Sequence, residues 1–156
     1  MSKDDRFRAF MNLSKETNVA YHNAAHKYGL SDSAFDILYF LETEGPLTQK
    51  ELRLLTYSSK QTVNSSVQKM IKLGFIYIDE ARGREKVLGL TEKGLTFAQA
   101  TTQKVYEAER RAFESLSARD QEKLLALSAQ FTHALVQEIG ALEPLTRAIN
   151  SSHVND

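Results

Sequence analysis

Residues 45–74 read GPLTQKELRLLTYSSKQTVNSSVQKMIKLG, and this stretch decides the fold. Thr48-Gln-Lys-Glu51 has the form of a capping box, in which a hydroxyl and a carboxylate three residues apart satisfy free N–H groups at the start of a helix. Tyr57-Ser-Ser59 interrupts the pattern and supplies a new N-cap, so a further helix is predicted from about Ser59 to Leu73, ending at Gly74. Two short helices joined by a tight turn predict a helix-turn-helix.

After Gly74 the spacing of apolar residues changes from a helical period to alternation. Phe75–Ile78 and Lys86–Leu90 are predicted strands, and the charged segment Glu80–Glu85 between them is a predicted hairpin turn. Because an isolated two-stranded hairpin is unstable in water, this one is expected to pack on the helices before it. The predicted fold is therefore mainly α with a small two-stranded β wing, a winged helix-turn-helix.

Helices are predicted on both sides of this region. Upstream, one runs from about Arg6 to Tyr28, and Ser31 caps a second that ends near Glu44. Downstream, a long helix is predicted from Thr91 to Leu116, and Ser117 caps the last one.

Composition excludes several classes of function. The chain has no cysteine, which removes thiol catalysis and cysteine-ligated zinc and suits a reducing cytosol. No apolar run approaches the roughly 18 residues that span a bilayer, and the charged N-terminus lacks a signal-peptide apolar stretch. There is no Gly-rich phosphate loop, His-Glu-x-x-His motif or nucleophile elbow. We expect a soluble cytoplasmic protein that is not an enzyme, binds no cofactor and has no membrane partner.

Charge is distributed unevenly although the net charge is zero. Residues 48–93 contain nine basic and five acidic side chains, whereas residues 106–143 contain four basic and seven acidic ones. Basic charge therefore gathers where a phosphate-binding face is expected in a nucleic-acid-binding protein. Local variation in a neutral protein is the alternative explanation.

The helix predicted at 59–73 has one polar face that carries no acid. At about 100° per residue, Val63, Val67 and Met70 fall on one side. The opposite side carries Gln61, Asn64, Ser65 and Gln68. A merely solvated helix mixes charges of both signs, and Gln or Asn can form paired hydrogen bonds to adenine in the major groove. We predict that these four residues read base edges in double-stranded DNA.

Hydroxyl and amine groups around this face are predicted to contact DNA phosphates. They are Thr48, Ser59, Lys60, Thr62, Lys69 and Lys72.

Five segments in this order resemble the MarR family of winged-helix transcription regulators. They are Leu30-Ser-Asp-Ser-Ala-Phe-Asp-Ile-Leu38, Gly45-Pro-Leu-Thr-Gln-Lys-Glu-Leu52, Ser59-Lys-Gln-Thr-Val63 with Val67 and Met70, Gly74-Phe-Ile76 and Leu90-Thr-Glu-Lys-Gly94. The resemblance implies a homodimer held by the first and the last two helices. It also implies regulation of transcription. Here we expect repression, which a small and often phenolic ligand relieves. A dimer that inserts two such helices into successive major grooves requires a near-palindromic operator.

The resemblance also bears on the wing. In that family an Asp usually precedes an Arg by two residues; here Arg84 matches the Arg, but Arg82 stands at the Asp position. We expect Arg82 and Arg84 to enter the minor groove. Because the Asp usual in that family is absent, we expect other contacts to support the wing. An ordinary exposed hairpin tip is the alternative.

Four regions are expected on this basis. Residues 1–30 form a dimerisation helix, residues 31–94 the winged helix-turn-helix lobe, residues 95–147 the C-terminal dimerisation helices, and residues 148–156 a flexible tail. Large apolar side chains in the terminal helices, such as Phe10, Phe131 and Ile139, are more than one small lobe can cover.

The first helix also carries a candidate ligand site. By resemblance it borders the effector cleft, so Tyr21, His22, His26 and Phe35 are predicted to form a pocket for a small aromatic or carboxylate ligand. His22 and His26 also have a spacing that can hold zinc, although ordinary surface or interface histidines are the alternative. A metal-responsive regulator and a winged-helix protein–protein interaction module stay open as other functions.

Overall fold

A computed structural model describes residues 1–79 and 86–142 of the chain. Within them, seven helices and three strands follow one another, with bounds α1 (Lys3–Lys27), α2 (Asp32–Thr43), β1 (Leu47–Thr48), α3 (Gln49–Thr56), α4 (Lys60–Lys72), β2 (Ile76–Asp79), β3 (Val87–Leu90), α5 (Glu92–Ala100), α6 (Thr102–Glu114) and α7 (Ala118–Gly140). The predicted winged helix-turn-helix is confirmed. The predicted hairpin tip with Arg82 and Arg84, and the predicted tail at 148–156, lie outside the described residues.

The chain forms two compact units, residues 1–109 and residues 110–156. The first unit contains α1 to α5, the three strands and most of α6. The described part of the second unit contains the end of α6 and all of α7.

The core of the first unit is built around α2. This helix packs against α1, α3, α4, α5 and β3. Its Ile37 and Leu38 side chains are fully buried, as are Leu52 of α3 and Val67 of α4. Each such aliphatic side chain contributes about 1.5–3 kcal/mol when it is removed from water.

Predicted N-caps are confirmed at the starts of α2, α3, α4 and α7. In α3, Thr48 Oγ1 accepts from the Glu51 backbone N–H at 3.2 Å while the Thr48 backbone N–H donates to Glu51 Oε2 at 2.7 Å. The helix α1 begins three residues before its predicted start because Ser2 and Asp5 form another capping box.

The wing contains a short third strand that the sequence analysis did not predict. The sheet order is β1-β3-β2 and both pairings are antiparallel, with Leu47 opposite Leu88 and Ile78 opposite Leu88 on the other side. Because the N-cap residue Thr48 is itself extended, with φ −76° and ψ 159°, Leu47 and Thr48 pair with β3 without any strand pattern of their own.

The long helix predicted from Thr91 to Leu116 is wrong in one respect, since it is broken at Thr101. This residue has φ −128° and ψ −82°, outside the helical region, and separates α5 from α6. The hydroxyls of Thr101 and Thr102 are buried and donate back to the carbonyls of Phe97 at 2.7 Å and Ala98 at 3.2 Å. Such back-bonding competes with the helical ladder and bends a helix.

Large apolar side chains are exposed on the two longest helices. In α1 they include Phe7, Phe10, Leu13 and Val19; in α7 they include Leu124, Leu127, Phe131, Leu135 and Ile139. No residue of α7 is buried. Across residues 1–79 and 86–142, however, no helix has the length and apolar character needed to cross a membrane.

The end of α4 is held by the residues that follow β3. Gly74 ends the helix with φ +75°, a conformation that favours glycine. Thr91 Oγ1 donates to the Gly74 carbonyl and Lys93 Nζ to the Leu73 carbonyl, both at 2.6 Å. Gly94 lies so close to Phe75 that a Cβ at this position would overlap the Phe75 carbonyl oxygen. The segment Leu90-Thr-Glu-Lys-Gly94 therefore joins the wing to α4.

Substitution Gly94→Ala tests this junction. Because the added methyl meets backbone rather than a flexible side chain, we expect a loss of about 1–3 kcal/mol in the free energy of unfolding. Urea denaturation measures this loss. The matched control is Gly140→Ala in α7, where a Cβ meets nothing within 4 Å. Equal stability of the two variants would show that Gly94 is not a close-packed position.

Candidate nucleic-acid interface and ligand cavity

The exposed face of α4 carries every residue predicted to read bases. Gln61, Asn64, Ser65 and Gln68 are all exposed. The opposite face is buried and includes Val63, Val67 and Met70 together with Ser66, whose small side chain the sequence analysis did not place in the core. The helix is therefore fixed by one side and presents amides on the other.

Residues predicted to contact phosphates flank this face. Lys60, Thr62, Lys69 and Lys72 are exposed in α4. At the start of the helix, Ser59 Oγ accepts from the Thr62 backbone N–H at 3.1 Å and lies 2.8 Å from Thr62 Oγ1. The positive end of the α4 dipole, with Lys60 in its first turn, suits an anion.

Thr48 has a different environment. Its hydroxyl donates to Glu51 Oε2 at 2.9 Å, and the hydrogen bonds from Thr48 lower the pKa of the Glu51 carboxyl. This hydroxyl proton is therefore used within the capping box of α3.

The turn between α3 and α4 exposes an aromatic side chain. Tyr57 adopts a left-handed conformation with φ 50°, and its side chain is 96% exposed. A bulky residue with positive φ is uncommon outside turns. The left-handed conformation of Tyr57 ends α3 and produces the sharp turn before α4.

Three of the four predicted pocket residues line one cavity in the first unit. Tyr21, His22 and Phe35 border a space of about 280 Å³ together with Asn18, Ala25, Asp32 and Asp36. His26 is not among the lining residues, but its ring centroid lies 4.2 Å from that of His22.

His22 and His26 are joined by a third possible metal ligand. Asp32, at the start of α2, places both carboxylate oxygens 3.0 Å from His22 Nδ1. One ligand atom from each of the three residues lies within 4.8 Å of the others, and all three side chains are exposed. Two imidazoles and a carboxylate are a donor set that zinc accepts.

A second cavity, of about 350 Å³, shares Tyr21, Phe35 and Asp36 with the first. It also reaches Tyr39, Phe40 and Glu109. Tyr39 donates its hydroxyl proton to Glu109 Oε2 at 2.6 Å, across 70 residues of sequence. Burial, and then the nearby Glu109 carboxylate, raise the pKa of Tyr21 to about 12. Burial and the hydrogen bond to Glu109 also raise the pKa of Tyr39.

Asp36 is the most perturbed carboxyl of this region. Burial, followed by repulsion from the nearby Asp32 carboxylate, raises the pKa of Asp36 to about 6. It is a half-buried acid in the lining of both cavities.

Sequence reasoning missed Asp32, Tyr39 and Glu109 as site residues. Tyr39 stands within α2 next to core residues, so it reads as an ordinary helix position. Glu109 is one of many acids in a charged helix, and its approach to Tyr39 follows only from packing of α6 near α2.

Residues 28–85 match the model of the MarR family. No protein among the curated sequences matches the chain. Among solved structures, a MarR family regulator from Neisseria meningitidis is similar with a TM-score of 0.72 and 25% identity, over 90% of this chain and 98% of that one. The sequence-based resemblance to this family is confirmed.

Two further structures share the fold at lower identity. MepR from S. aureus, in complex with DNA, has a TM-score of 0.63 and 22% identity, over 82% of this chain and 96% of that one. NadR in complex with 4-hydroxyphenylacetate has a TM-score of 0.63 and 18% identity, over 86% of this chain and 92% of that one.

The raised pKa of Asp36 predicts a pH-dependent stability. The folded chain holds this proton more tightly than the unfolded chain, so the stabilisation is complete below about pH 4 and is lost as the pH rises through about 6. Substitution Asp36→Asn should therefore raise the thermal midpoint at pH 7.5 more than at pH 5. The exposed Glu44→Gln is the matched control. Equal shifts for Asp36→Asn at both pH values would contradict the assignment.

Proposed function

We propose, on the premise that residues 28–85 form a MarR-family segment, that this chain is a sequence-specific DNA-binding transcriptional regulator that reads its site through α4. The observation that carries the proposal is the exposed, acid-free polar face of α4 opposite a buried apolar face. The S. aureus relative, which has the same fold and binds DNA, supports this assignment. The protein acts as a cytoplasmic regulator and not as an enzyme.

Base reading falls to the four residues at the centre of that face. The amides of Gln61, Asn64 and Gln68 offer a donor and an acceptor each, the pair that an adenine edge requires. Ser65 donates its hydroxyl proton to the Thr62 carbonyl at 3.0 Å, so toward a base it acts as an acceptor.

Phosphate contacts hold the helix in its groove. Ser59 and Thr62 at the start of α4, together with Lys60, Lys69 and Lys72, surround the reading face on an exposed surface. Thr48 supports this arrangement through the cap of α3. Arg82 and Arg84 are proposed as minor-groove contacts of the wing, a role that suits Arg where the groove is narrow.

The proposed assembly is a homodimer. Exposed apolar side chains of α1 and α7, among them Phe10, Leu13, Phe131 and Ile139, form the surfaces that a second copy would cover. Two copies of α4 then enter successive major grooves about one helical turn apart, on a near-palindromic operator.

The proposed regulation is repression relieved by a small ligand. Tyr21, His22 and Phe35 line a cavity on the first unit, with His26 beside His22, and the NadR structure contains 4-hydroxyphenylacetate in a protein of the same fold. A ligand shifts DNA affinity only if it binds one arrangement of the dimer better than another.

Variants of α4 distinguish residues that recognise bases from residues that bind phosphates. Gln68→Ala or Asn64→Ala should cost about 1–3 kcal/mol on the preferred operator and relax preference at one base pair per half-site. Lys72→Ala or Lys60→Ala should weaken binding to all DNA sequences by similar amounts. Each should also reduce the slope of log affinity against log salt concentration by roughly one, the value for one lost phosphate contact. Titrations against single-base operator variants at several salt concentrations measure both effects.

Lys50→Ala, on α3, is the control for a loss of one exposed positive charge near the interface. The proposal fails if Gln68→Ala and Asn64→Ala still discriminate between bases at every operator position while Lys72→Ala no longer does. A protein–protein interaction module would instead show no steep salt dependence on duplex DNA.

A metal-responsive regulator is a second candidate function. It is favoured by the approach of Asp32 to His22 and His26, which the spacing of the two histidines alone did not provide. Zinc bonds of about 2.0–2.2 Å would draw the three ligand atoms closer together.

Zinc titration against a competing chromophoric chelator tests this candidate. The wild-type chain should bind one ion, and His26→Ala should lower its affinity at least about tenfold. His133→Ala, an exposed histidine on α7, should leave affinity unchanged. A wild-type chain that binds no zinc, or equal losses in both variants, would exclude the site.

A further inference from the structure

The second cavity has an acidic and aromatic lining. Its six lining residues are Tyr21, Phe35, Asp36, Tyr39, Phe40 and Glu109. Four carry aromatic rings, two carry carboxyl groups, and within the described part of the chain no Lys or Arg lines the space. A volume of about 350 Å³ suits a ligand with a single aromatic ring.

One carboxylate is held in place by a phenol. Tyr39 donates to Glu109 Oε2 at 2.6 Å. The negative charge of Glu109 helps raise the pKa of both Tyr39 and Tyr21, so both phenols stay neutral. The Tyr39 O–H orients this carboxylate without neutralising its charge.

Aromatic rings pack around Tyr39. Tyr39 stacks with Phe35 at a centroid distance of 6.3 Å and meets Phe40 edge-on at 5.5 Å. Tyr106 of α6 lies 6.2 Å from Tyr39 on another side. Ring faces attract cations through their quadrupoles, and the attraction grows where water is excluded.

A second carboxyl reinforces the negative potential. Asp36 lies half-buried in the same lining, and the Asp32 carboxylate is close enough to disfavour its ionisation. His22 lines the adjoining cavity, where its Nδ1 lies 3.0 Å from an Asp32 carboxylate oxygen. Above about pH 6, Asp36 is charged and has no cation among the lining residues of this cavity.

We propose that this cavity binds a small aromatic cation, an aryl-alkyl amine or quaternary ammonium, whose positive group lies between Asp36 and Glu109. This proposal rests on the proposed ligand response and names the ligand's charge. Of the two ligand types expected from the sequence, a carboxylate would place a third negative charge beside two fixed ones. A protonated amine instead forms charge-assisted hydrogen bonds to both carboxylates. A quaternary ammonium has no N–H and is attracted to the carboxylates by its charge alone, and either cation faces the Tyr39 ring.

Three probes of nearly the same shape test the sign of the charge. Tyramine is a cation, tyrosol its neutral counterpart, and 4-hydroxyphenylacetate an anion. Calorimetric titration of the DNA-free, full-length protein at pH 7.5 should give tyramine an affinity at least about tenfold above tyrosol, with the anion weakest. Asp36→Asn and Glu109→Gln should each reduce tyramine affinity about tenfold while leaving tyrosol binding unchanged. Glu44→Gln, an exposed acid outside the cavity, is the control.

Several results would overturn the proposal. They are an affinity for 4-hydroxyphenylacetate equal to or above that of tyramine, a complete lack of tyramine binding, and an equal loss of tyramine and tyrosol in Asp36→Asn. If the Glu109→Gln variant unfolds because it loses the hydrogen bond from Tyr39, the Asp36→Asn variant alone tests the proposal. Operator binding of the unliganded protein is measured in parallel. Intact operator binding without tyramine binding overturns only the cation assignment, whereas loss of operator binding overturns the proposed function.

Discussion

Backbone carbonyls at the end of α4 accept hydrogen bonds from Thr91 and Lys93, and the orientation of the reading face depends on this junction. The last carbonyls of a helix have no partners within the helix and must find them elsewhere. Here the partners come from the residues after β3, so the end of β3 is bonded directly to the end of α4. Phe75 completes the junction, stacked on Phe97 at 4.5 Å with the Lys93 ammonium above its ring.

The helix α2 lines both cavities and packs against α4, the helix proposed to read DNA. One side of α2 carries Asp36 and Tyr39 into the cavities, while Ile37, Leu38 and Leu41 are buried in the core. That core includes Val63, Val67 and Met70 of α4. Close-packed interiors transmit displacement because they contain few voids. Under the proposed function, a ligand that moves α2 would act on the support of α4 without touching the exposed polar face of that helix.

The exposed polar face of α4 could be predicted closely, whereas the second cavity could not. Gln61, Asn64 and Gln68 lie on one short helix, where a period of 3.6 residues relates sequence position to direction. The cavity instead brings together Tyr21, Tyr39 and Glu109 from three helices. Their spacing along the chain contains no information about distance, so the hydrogen bond from Tyr39 to Glu109 was not predictable. Asp32 beside His22 was missed for the same reason.

The sequence by itself determined the elements whose physics is local. Hydroxyl caps at Ser31, Thr48, Ser59 and Ser117 set where helices begin, because a side chain three residues away satisfies a free N–H group. Alternating apolar residues determined β2 and β3. Tertiary structure decided the third strand, the break at Thr101 and the charge of the second cavity. These features depend on which carbonyls, strands and carboxylates come into contact when the helices pack. Such contacts join residues far apart in the chain, so no local sequence pattern predicts them.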